Sequence, residues 1–179
     1  ILQAFKEIGF TTAFLSNQGR NHTFTEFFAD EADICRNIRS VGELGIQTIN
    51  NFDEALLPLY KHYIDSVPGN MFMVLHTYGS HFNYKERYPE QFSVFRPDDV
   101  TGISRDDKDK LMNAYDNTIL YTDSFLSDLI KLTEESNSCA SLVFASDHGE
   151  DIMDDRRMRF LHASPNPTFY QLKIPLFIW

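Results

Sequence analysis

The stretch that decides the fold lies between residues 141 and 150 and reads SLVFASDHGE. Its first half, from Ser141 to Ala145, is short and apolar, which is typical of a strand that is buried on both faces. Its second half, from Ser146 to Glu150, is polar and contains side chains that can bind ligands. In open parallel sheets, ligands bind beyond the carboxyl ends of the strands. The stretch therefore predicts a sheet whose functional residues lie in the loop after a strand.

The same pattern, an apolar strand followed by a polar loop, occurs twice more towards the N-terminus. Residues 11–15 (TTAFL) precede a loop that contains Asn17. Residues 71–75 (MFMVL) precede a loop that contains His76 and His81. If these strands are parallel neighbours, all three loops meet at one edge of the sheet.

Segments with helical periodicity alternate with these strands. Apolar residues recur at helical spacing in residues 1–10, in a segment that Asp53 can cap, and in a long segment from about Asp107 to Glu135. A fourth strand is expected at residues 172–179. The alternation predicts an α/β fold with a largely parallel sheet flanked by helices on both faces.

Length and composition restrict the class of protein. The chain has 179 residues, 42% of them hydrophobic, and we expect a single domain spanning residues 1–179. No apolar run approaches the roughly 20 residues that a membrane-spanning helix needs, and residues 1–10 do not read as a signal peptide. The net charge of −10 argues against a nucleic-acid partner. Because the chain starts without Met and ends in an apolar run, we expect a fragment of a longer protein.

The tetrapeptide from Asp147 to Glu150 is the sharpest chemical signal. A carboxylate oxygen and an imidazole nitrogen are both good zinc ligands, so Asp147 and His148 are candidate metal ligands. Gly149 allows the backbone to bend so that both side chains point at one ion. Glu150 is a candidate third ligand, or a residue that orients His148. The alternatives are a solvated turn, or an Asp–His hydrogen bond without a metal.

Three other histidines have less specific surroundings. His76 directly follows an apolar strand and is either a hydrogen-bonded core histidine or a functional residue. His81 lies further into the loop and is better placed to meet a ligand. His162 precedes a Pro-containing turn and, taken alone, reads as a surface histidine.

Three further features each allow two interpretations. The basic run Arg156, Arg157 and Arg159 is either a solvated face or a dock for a lipid phosphate. Asp116 and Asn117 interrupt the apolar face of the long helix and are expected to be a buried polar pair that holds a neighbouring loop. The two cysteines, Cys35 and Cys139, are either free thiols or a disulfide.

Several blocks of sequence together resemble one enzyme family in order and spacing. That family is the bacterial phosphoethanolamine transferases, zinc-dependent members of the alkaline phosphatase/sulfatase superfamily. The match covers nearly the whole chain, and the combination is more specific than Asp-His-Gly, which occurs across the superfamily. The blocks are FLSNQ (14–18), LHTYGSH (75–81), RYP (87–89), YDNTILYTD (115–123), SDHGE (146–150), LH (161–162) and IPL (174–176).

The resemblance implies a mechanism and a set of site residues. Such enzymes use a zinc-activated threonine to take phosphoethanolamine from a phospholipid donor and pass it to a lipid or sugar acceptor of the outer envelope. Asp147 and His148 match two zinc ligands of the family. His81 and His162 match histidines that contact the phosphoethanolamine group, and Asn17 falls near a polar substrate contact. The full-length protein is then expected to be membrane-anchored, at the periplasmic face of the bacterial inner membrane.

The sequence also departs from the family pattern. The remaining zinc carboxylate and the nucleophilic threonine of the family lie upstream of the matched region. No threonine here has a matching context, so we assign no nucleophile and expect this chain to be inactive by itself. A Gly-Pro pair of the family is replaced by Phe82-Asn83. The alternatives are a sulfatase or phosphoglycerol transferase of the same superfamily, or a non-catalytic binding domain.

Overall fold

The computed structural model describes residues 1–19, 24–38, 52–100, 102–136 and 138–179. These residues form two compact units, and each is described by itself. The first unit contains residues 1–79 and 127–136, and the second contains residues 80–126 and 137–179. The expectation of a single domain stays a prediction.

The first unit is built on a parallel sheet of three strands, β1 (Thr11–Ser16), β2 (Ile34–Asn37) and β3 (Met71–His76), in the order β2-β1-β3. Its core is formed where Leu2, Phe14 and Ala29 pack together, with Phe72 and Val74 against them. Ser16 at the end of β1 pairs with His76 at the end of β3, so both strands release their loops at the same edge. The elements are α1 (Leu2–Glu7), β1 (Thr11–Ser16), α2 (Phe24–Glu31), β2 (Ile34–Asn37), α3 (Leu56–Ser66) and β3 (Met71–His76).

The second unit combines most of a long helix with two small antiparallel ribbons. Helix α4 (Lys108–Glu135) begins in this unit, and its last turns belong to the first unit. Strand β4 (Val143–Ala145) pairs with β7 (Leu176–Ile178), and β5 (Asp151–Ile152) pairs with β6 (Phe160–Leu161). A core cluster that includes Tyr84 and Leu111 lies beside the second ribbon. The remaining elements are β4 (Val143–Ala145), β5 (Asp151–Ile152), β6 (Phe160–Leu161), α5 (Phe169–Leu172) and β7 (Leu176–Ile178).

The fold class predicted from the sequence is confirmed in its main features. The N-terminal helix and the long helix lie where periodicity predicts them, and Gly9 follows α1 with φ of 88°, as expected of a helix-terminating glycine. The strands of the first unit are parallel. Among the described residues, no helix is both long and apolar enough to cross a bilayer.

The C-terminal strand differs from its prediction. Residues 172–179 do not form one strand, because α5 extends to Leu172 and β7 starts only at Leu176. Strand β7 runs antiparallel to β4, with Val143 opposite Ile178. Both strands also expose their apolar side chains, 65% for Val143 and 73% for Ile178. Apolar composition predicts a strand, but it encodes neither the direction of pairing nor the element that covers the strand.

Asp53 does not cap a helix with its side chain, so that expectation is wrong. Its carboxylate instead accepts hydrogen bonds from the backbone N–H groups of Tyr78 and Gly79 and from Asn17 Nδ2. These three donors lie in the loops after β1 and β3, and a buried carboxylate gains more from three donors than from one helix N–H. Asp53 therefore ties the two loops together.

Candidate active site

The loop after β4 is held against α5 at Gly149. Gly149 N–H donates to the Gln171 carbonyl at 2.9 Å. A Cβ atom at position 149 would overlap the carbonyl oxygen of Tyr170, which belongs to the backbone and cannot swing away. The sequence predicts that glycine is needed here to allow a bend. The structure adds a second reason, since two backbone segments approach each other too closely for any side chain.

A second anchor fixes the far end of the same loop. The Asp151 carboxylate is buried and accepts hydrogen bonds from Thr168 Oγ1, at 2.6 Å, and from Gln171 Nε2. Thr168 also caps α5, because its Oγ1 accepts from Gln171 N–H. Asp151 was not among the residues singled out from the sequence. Its only sequence signal is an acidic residue at the start of a strand that follows a ligand loop.

Three side chains near this loop form a cluster suited to a metal ion. His148, Glu150 and His162 each offer one ligand atom, and these atoms all lie within 4.8 Å of one another. The rings of His148 and His162 are 3.7 Å apart between centroids. Two imidazoles and a carboxylate are a common donor set for zinc, so the residues present fit the metal that the sequence predicts. His162, which reads as a surface histidine when taken alone, belongs to the cluster.

The hydrogen bond of His148 fixes which ring nitrogen faces Asp147. His148 Nδ1 lies 3.0 Å from the Gly149 carbonyl oxygen, and a carbonyl can only accept, so Nδ1 carries a proton. His148 Nε2 then lies 3.7 Å from Asp147 Oδ2. Two ligands on one tetrahedral zinc are about 3.4 Å apart. Asp147 is 81% exposed, so its carboxylate can move by this small amount. Metal-binding histidines usually hold their other nitrogen in this way.

Glu150 contacts His162 more closely than it contacts His148. Its Oε1 atom lies 2.7 Å from His162 Nδ1 but 3.8 Å from His148 Nδ1. The Glu150 side chain is only 5% exposed, and Tyr84 donates to its Oε2 atom at 3.4 Å. The sequence predicts that Glu150 is either a metal ligand or the residue that orients His148. In the structure His148 is oriented by the Gly149 carbonyl, and Glu150 orients His162.

Tyr84 is a site residue that sequence reasoning missed. Its ring is buried in an aromatic cluster with Phe82, Tyr115 and Phe160. Burial, followed by the negative charge of Glu150, raises the pKa of Tyr84 far above its ordinary value. The hydroxyl therefore stays neutral and keeps donating to the carboxylate. The only signal in the sequence is its position three residues after His81.

His162 lies on a backbone segment with unusual torsion angles. Leu161 and Ala163, the residues on either side of it, have φ values of 66° and 64°. Met153 and Met158 in the same β5–β6 hairpin also have positive φ. Non-glycine residues in this region are strained, and such strain often accompanies functional sites. The surrounding contacts must therefore force the position of His162.

The other predicted substrate residues have defined surroundings. His81 is exposed, its Nδ1 atom lies 2.6 Å from the Phe82 carbonyl, and its own carbonyl accepts from Arg87 Nε at 3.0 Å. Asn17 lies in the first unit, is buried, and donates to Asp53 at 2.6 Å. This contact gives Asn17 a structural role, and its role in binding substrate stays a prediction.

The structure favours one interpretation for several residues that the sequence left open. His76 Nδ1 lies 2.9 Å from Ser16 Oγ and its ring stacks on Phe14, as expected of a hydrogen-bonded core histidine. Arg157 pairs with Asp155, and Arg159 donates to Ser164 Oγ, so two arginines of the basic run bind their own loop. Within the described part of the chain, Cys35 and Cys139 do not form a disulfide.

Comparison with solved structures defines the class of protein. The C-terminal periplasmic domain of EptC from Escherichia coli, solved in complex with zinc, superposes with a TM-score of 0.84 at 26% identity, covering 99% of this chain and 51% of that one. The integral membrane protein lipooligosaccharide phosphoethanolamine transferase A (EptA) from Neisseria meningitidis gives 0.78 at 26% identity, covering 97% and 32%. The fold is thus that of the alkaline phosphatase/sulfatase class.

The sequence comparisons assign the family. A family model described as Sulfatase matches residues 1–179, and the chain belongs to this family. Phosphoethanolamine transferase EptA from Salmonella typhimurium is 37% identical over 134 residues, which are 72% of this chain and 24% of that protein. The resemblance predicted from the motifs is confirmed. The chain spans less than a third of the length of the curated relatives it matches.

Proposed function

We propose that this chain is part of an enzyme that transfers phosphoethanolamine from a phospholipid to a lipid or sugar acceptor of the outer envelope, through a phosphothreonine intermediate and with zinc as cofactor. The proposal rests chiefly on the cluster of His148 and Glu150, in the loop after β4, with His162, which follows β6. The names of the relatives support the transferred group. The solved neighbours, a periplasmic domain and an integral membrane protein, support a periplasmic, membrane-anchored protein.

Asp147 and His148 are the proposed zinc ligands, with Glu150 as a further ligand or as support for the site. When bound, zinc would lower the pKa of a hydroxyl nucleophile and neutralise phosphoryl charge. The Gly149 carbonyl holds the proton of His148 on Nδ1, so Nε2 can act as the ligand atom. Gly149 and Asp151 fix the loop, which places both ligands before the metal arrives.

His81, His162 and Asn17 are the proposed substrate-binding residues. Glu150 holds His162 through Nδ1, so Nε2 is the nitrogen that can donate to a phosphate oxygen. The nucleophilic threonine is assigned to no residue of this sequence, and the chain by itself is proposed to be inactive. No nucleic-acid partner is proposed for a chain with a net charge of −10.

The test is a transfer assay with a longer protein that contains this chain and the upstream region of the family. A fluorescent phosphatidylethanolamine donor and a lipid A acceptor report the transfer. We expect activity that is lost on chelation of zinc and in His148→Ala, with mass spectrometry showing phosphoethanolamine on a threonine. Hydrolysis of an aryl sulfate without transfer would overturn the proposal in favour of a sulfatase.

A further inference from the structure

Two adjacent residues of α4, Asn117 and Thr118, are buried and hold the loop that carries His81. The sequence predicts that Asp116 and Asn117 form a buried pair of this kind. The structure confirms the prediction for Asn117, which is 0% exposed, but Asp116 is exposed and Thr118, 1% exposed, takes its place. Residues 80–98, called the histidine loop below, contact this pair at both ends.

Asn117 holds the C-terminal end of the histidine loop. Its Oδ1 atom accepts from the N–H groups of Val94 and Phe95, at 3.0 and 2.9 Å. Its Nδ2 atom donates to the Phe95 carbonyl, to Asp98 Oδ2 and to the Tyr88 hydroxyl, at 3.0, 3.1 and 3.2 Å. A primary amide has two N–H groups and one carbonyl oxygen, so these contacts use its full capacity.

Asp98 is a shared hydrogen-bond acceptor for other polar groups of the histidine loop. Its Oδ2 atom accepts from Tyr88, Ser93 and Lys85 as well as from Asn117. The carboxylate is buried with these donors around it. A satisfied buried network of this kind permits one conformation of the loop, because any shift leaves a polar group without its partner.

Thr118 holds the N-terminal end of the loop, directly beside His81. Thr118 Oγ1 lies 2.6 Å from Ser80 Oγ. On the other side, Arg87 Nε donates to the His81 carbonyl at 3.0 Å. With the backbone fixed on both sides, His81 Nδ1 meets the Phe82 carbonyl at 2.6 Å. Because a carbonyl only accepts, a neutral His81 must carry its proton on Nδ1.

We propose that Asn117 and Thr118 are positioning residues that fix the tautomer and orientation of His81 by fastening both ends of the histidine loop to α4. The inference rests on the proposed function, in which His81 binds the phosphoethanolamine group. It goes further by assigning a role in the site to two buried residues of α4.

The test compares threonine variants of the 179-residue chain by NMR of the 15N-labelled histidine rings, which reports the Nδ1–H and Nε2–H tautomers. Thr118→Val keeps the shape but loses the hydroxyl, and Thr118→Ser restores it. Thr122→Val is the matched control, since Thr122 Oγ1 donates to the Thr118 carbonyl at 2.9 Å and Thr118 Oγ1 donates to the Tyr115 carbonyl at 2.6 Å, both within the helix. Asn117→Leu tests the other end of the loop.

We expect Thr118→Val and Asn117→Leu to shift the His81 tautomer ratio by about fivefold towards Nε2–H, the change expected for the loss of one typical hydrogen bond. Thr118→Ser and Thr122→Val should keep the wild-type ratio. An unchanged His81 signal in folded Thr118→Val would overturn the proposal, and this holds even where Asn117→Leu does not fold.

Titration of the wild-type chain with O-phosphoethanolamine separates this inference from the proposed function. A shift of the His81 signal that is weakened in Thr118→Val, and not in Thr122→Val, supports positioning for substrate binding. A second outcome is that the tautomer changes in Thr118→Val while the wild-type signal does not respond to O-phosphoethanolamine. That result would overturn the role of His81 in binding, and it would still support the proposal that Thr118 fixes the His81 tautomer. A response of equal size in Thr118→Val would overturn the positioning role.

Discussion

Glu150 accepts a hydrogen bond from His162, with 2.7 Å between Oε1 and Nδ1, across 12 residues of sequence. The pair joins the loop after β4 to the end of the β5–β6 hairpin. His148 stacks against His162 with 3.7 Å between ring centroids, so the same pair also positions the proposed metal ligand. The proposed zinc ligand His148 and the proposed phosphate-binding residue His162 are therefore both linked to one buried carboxylate.

Glu150→Gln is expected to weaken zinc binding while leaving the fold intact. Glutamine has the same shape but no negative charge, so it holds His162 less firmly and attracts a cation less strongly. Replacement of groups that support metal ligands typically costs about 10-fold to 100-fold in affinity. Competition with a fluorescent chelator measures this loss in a longer protein that includes the upstream region of the family. Glu134→Gln, an exposed site on α4, is the control, and an equal affinity in both variants would contradict the assignment.

Gly149→Ala is expected to be strongly destabilising, because the new Cβ overlaps the Tyr170 carbonyl oxygen. A backbone atom cannot move aside without displacing α5, so we expect a loss of about 3 kcal/mol in the free energy of unfolding. Urea denaturation measures it. Gly102→Ala is the matched control, since a Cβ there meets nothing within 4 Å, and it should change stability by less than about 0.5 kcal/mol. Similar values for both variants would show that the loop relaxes freely.

Asp53→Ala should be more costly than an ordinary surface substitution. It removes the acceptor of Asn17 Nδ2 and of the Tyr78 and Gly79 N–H groups, all in part-buried or buried positions. We expect a loss of about 3 kcal/mol, because buried donors are left unsatisfied. Asp65→Ala is the control: Asp65 forms an exposed ion pair with Lys61, which contributes at most about 0.5 kcal/mol. Thermal unfolding of both variants gives the comparison.

The sequence predicts those parts of this fold that depend on local pattern. Periodicity locates α4, and the apolar runs locate β1 and β3 together with the loops that follow them. Residue chemistry points to Asp147 and His148 as candidate zinc ligands, and that assignment stays a prediction. These features depend on neighbours in sequence, which a single chain displays directly.

The features that the sequence does not predict depend on contacts between residues that are far apart in the chain. Asp53 looks like a helix cap because it precedes a helix, yet Asn17, one of its donors, lies 36 residues earlier, and Tyr78 and Gly79 lie 25 and 26 residues later. His162 looks like a surface residue until Glu150 is seen beside it. The direction of β7 relative to β4 depends on the path between them, which includes a hairpin and α5. No local pattern encodes any of these relationships.

Asp98 should make stability depend on pH in the acid range. Burial raises its pKa, but hydrogen bonds from Ser93, Tyr88 and Lys85 outweigh this effect and lower it to about 2. A carboxylate with a lowered pKa in the folded state stabilises the fold fully above its unfolded pKa of about 3.9, and this contribution is lost as pH falls towards 2. We expect a loss of about 2 kcal/mol over that interval.

Urea unfolding of the wild type and of Asp98→Asn, between pH 6 and pH 2, measures this contribution. Other carboxylates titrate in both proteins, so the difference between the two curves isolates Asp98. The stability advantage of the wild type should shrink as the pH falls below about 4. A difference that stays constant down to pH 2 would show that ionised Asp98 does not stabilise the loop.

Asp147→Ala and His148→Ala should each reduce zinc affinity. The double variant should lose little more affinity than either single variant. Asp147 Oδ2 and His148 Nε2 lie 3.7 Å apart, so one ion can contact both, and removal of either leaves too few ligands for a zinc site. Calorimetric titration with zinc is done on this chain and on a longer protein that includes the upstream region of the family. Because the resemblance assigns a further ligand carboxylate and the threonine oxygen to that region, we expect weak binding by this chain and tight binding by the longer protein.

Equal, tight binding by both would place the full ligand set within residues 1–179, with His162 as the first candidate for the missing ligand. Tight binding that survives the double substitution in the longer protein would remove Asp147 and His148 from the metal site.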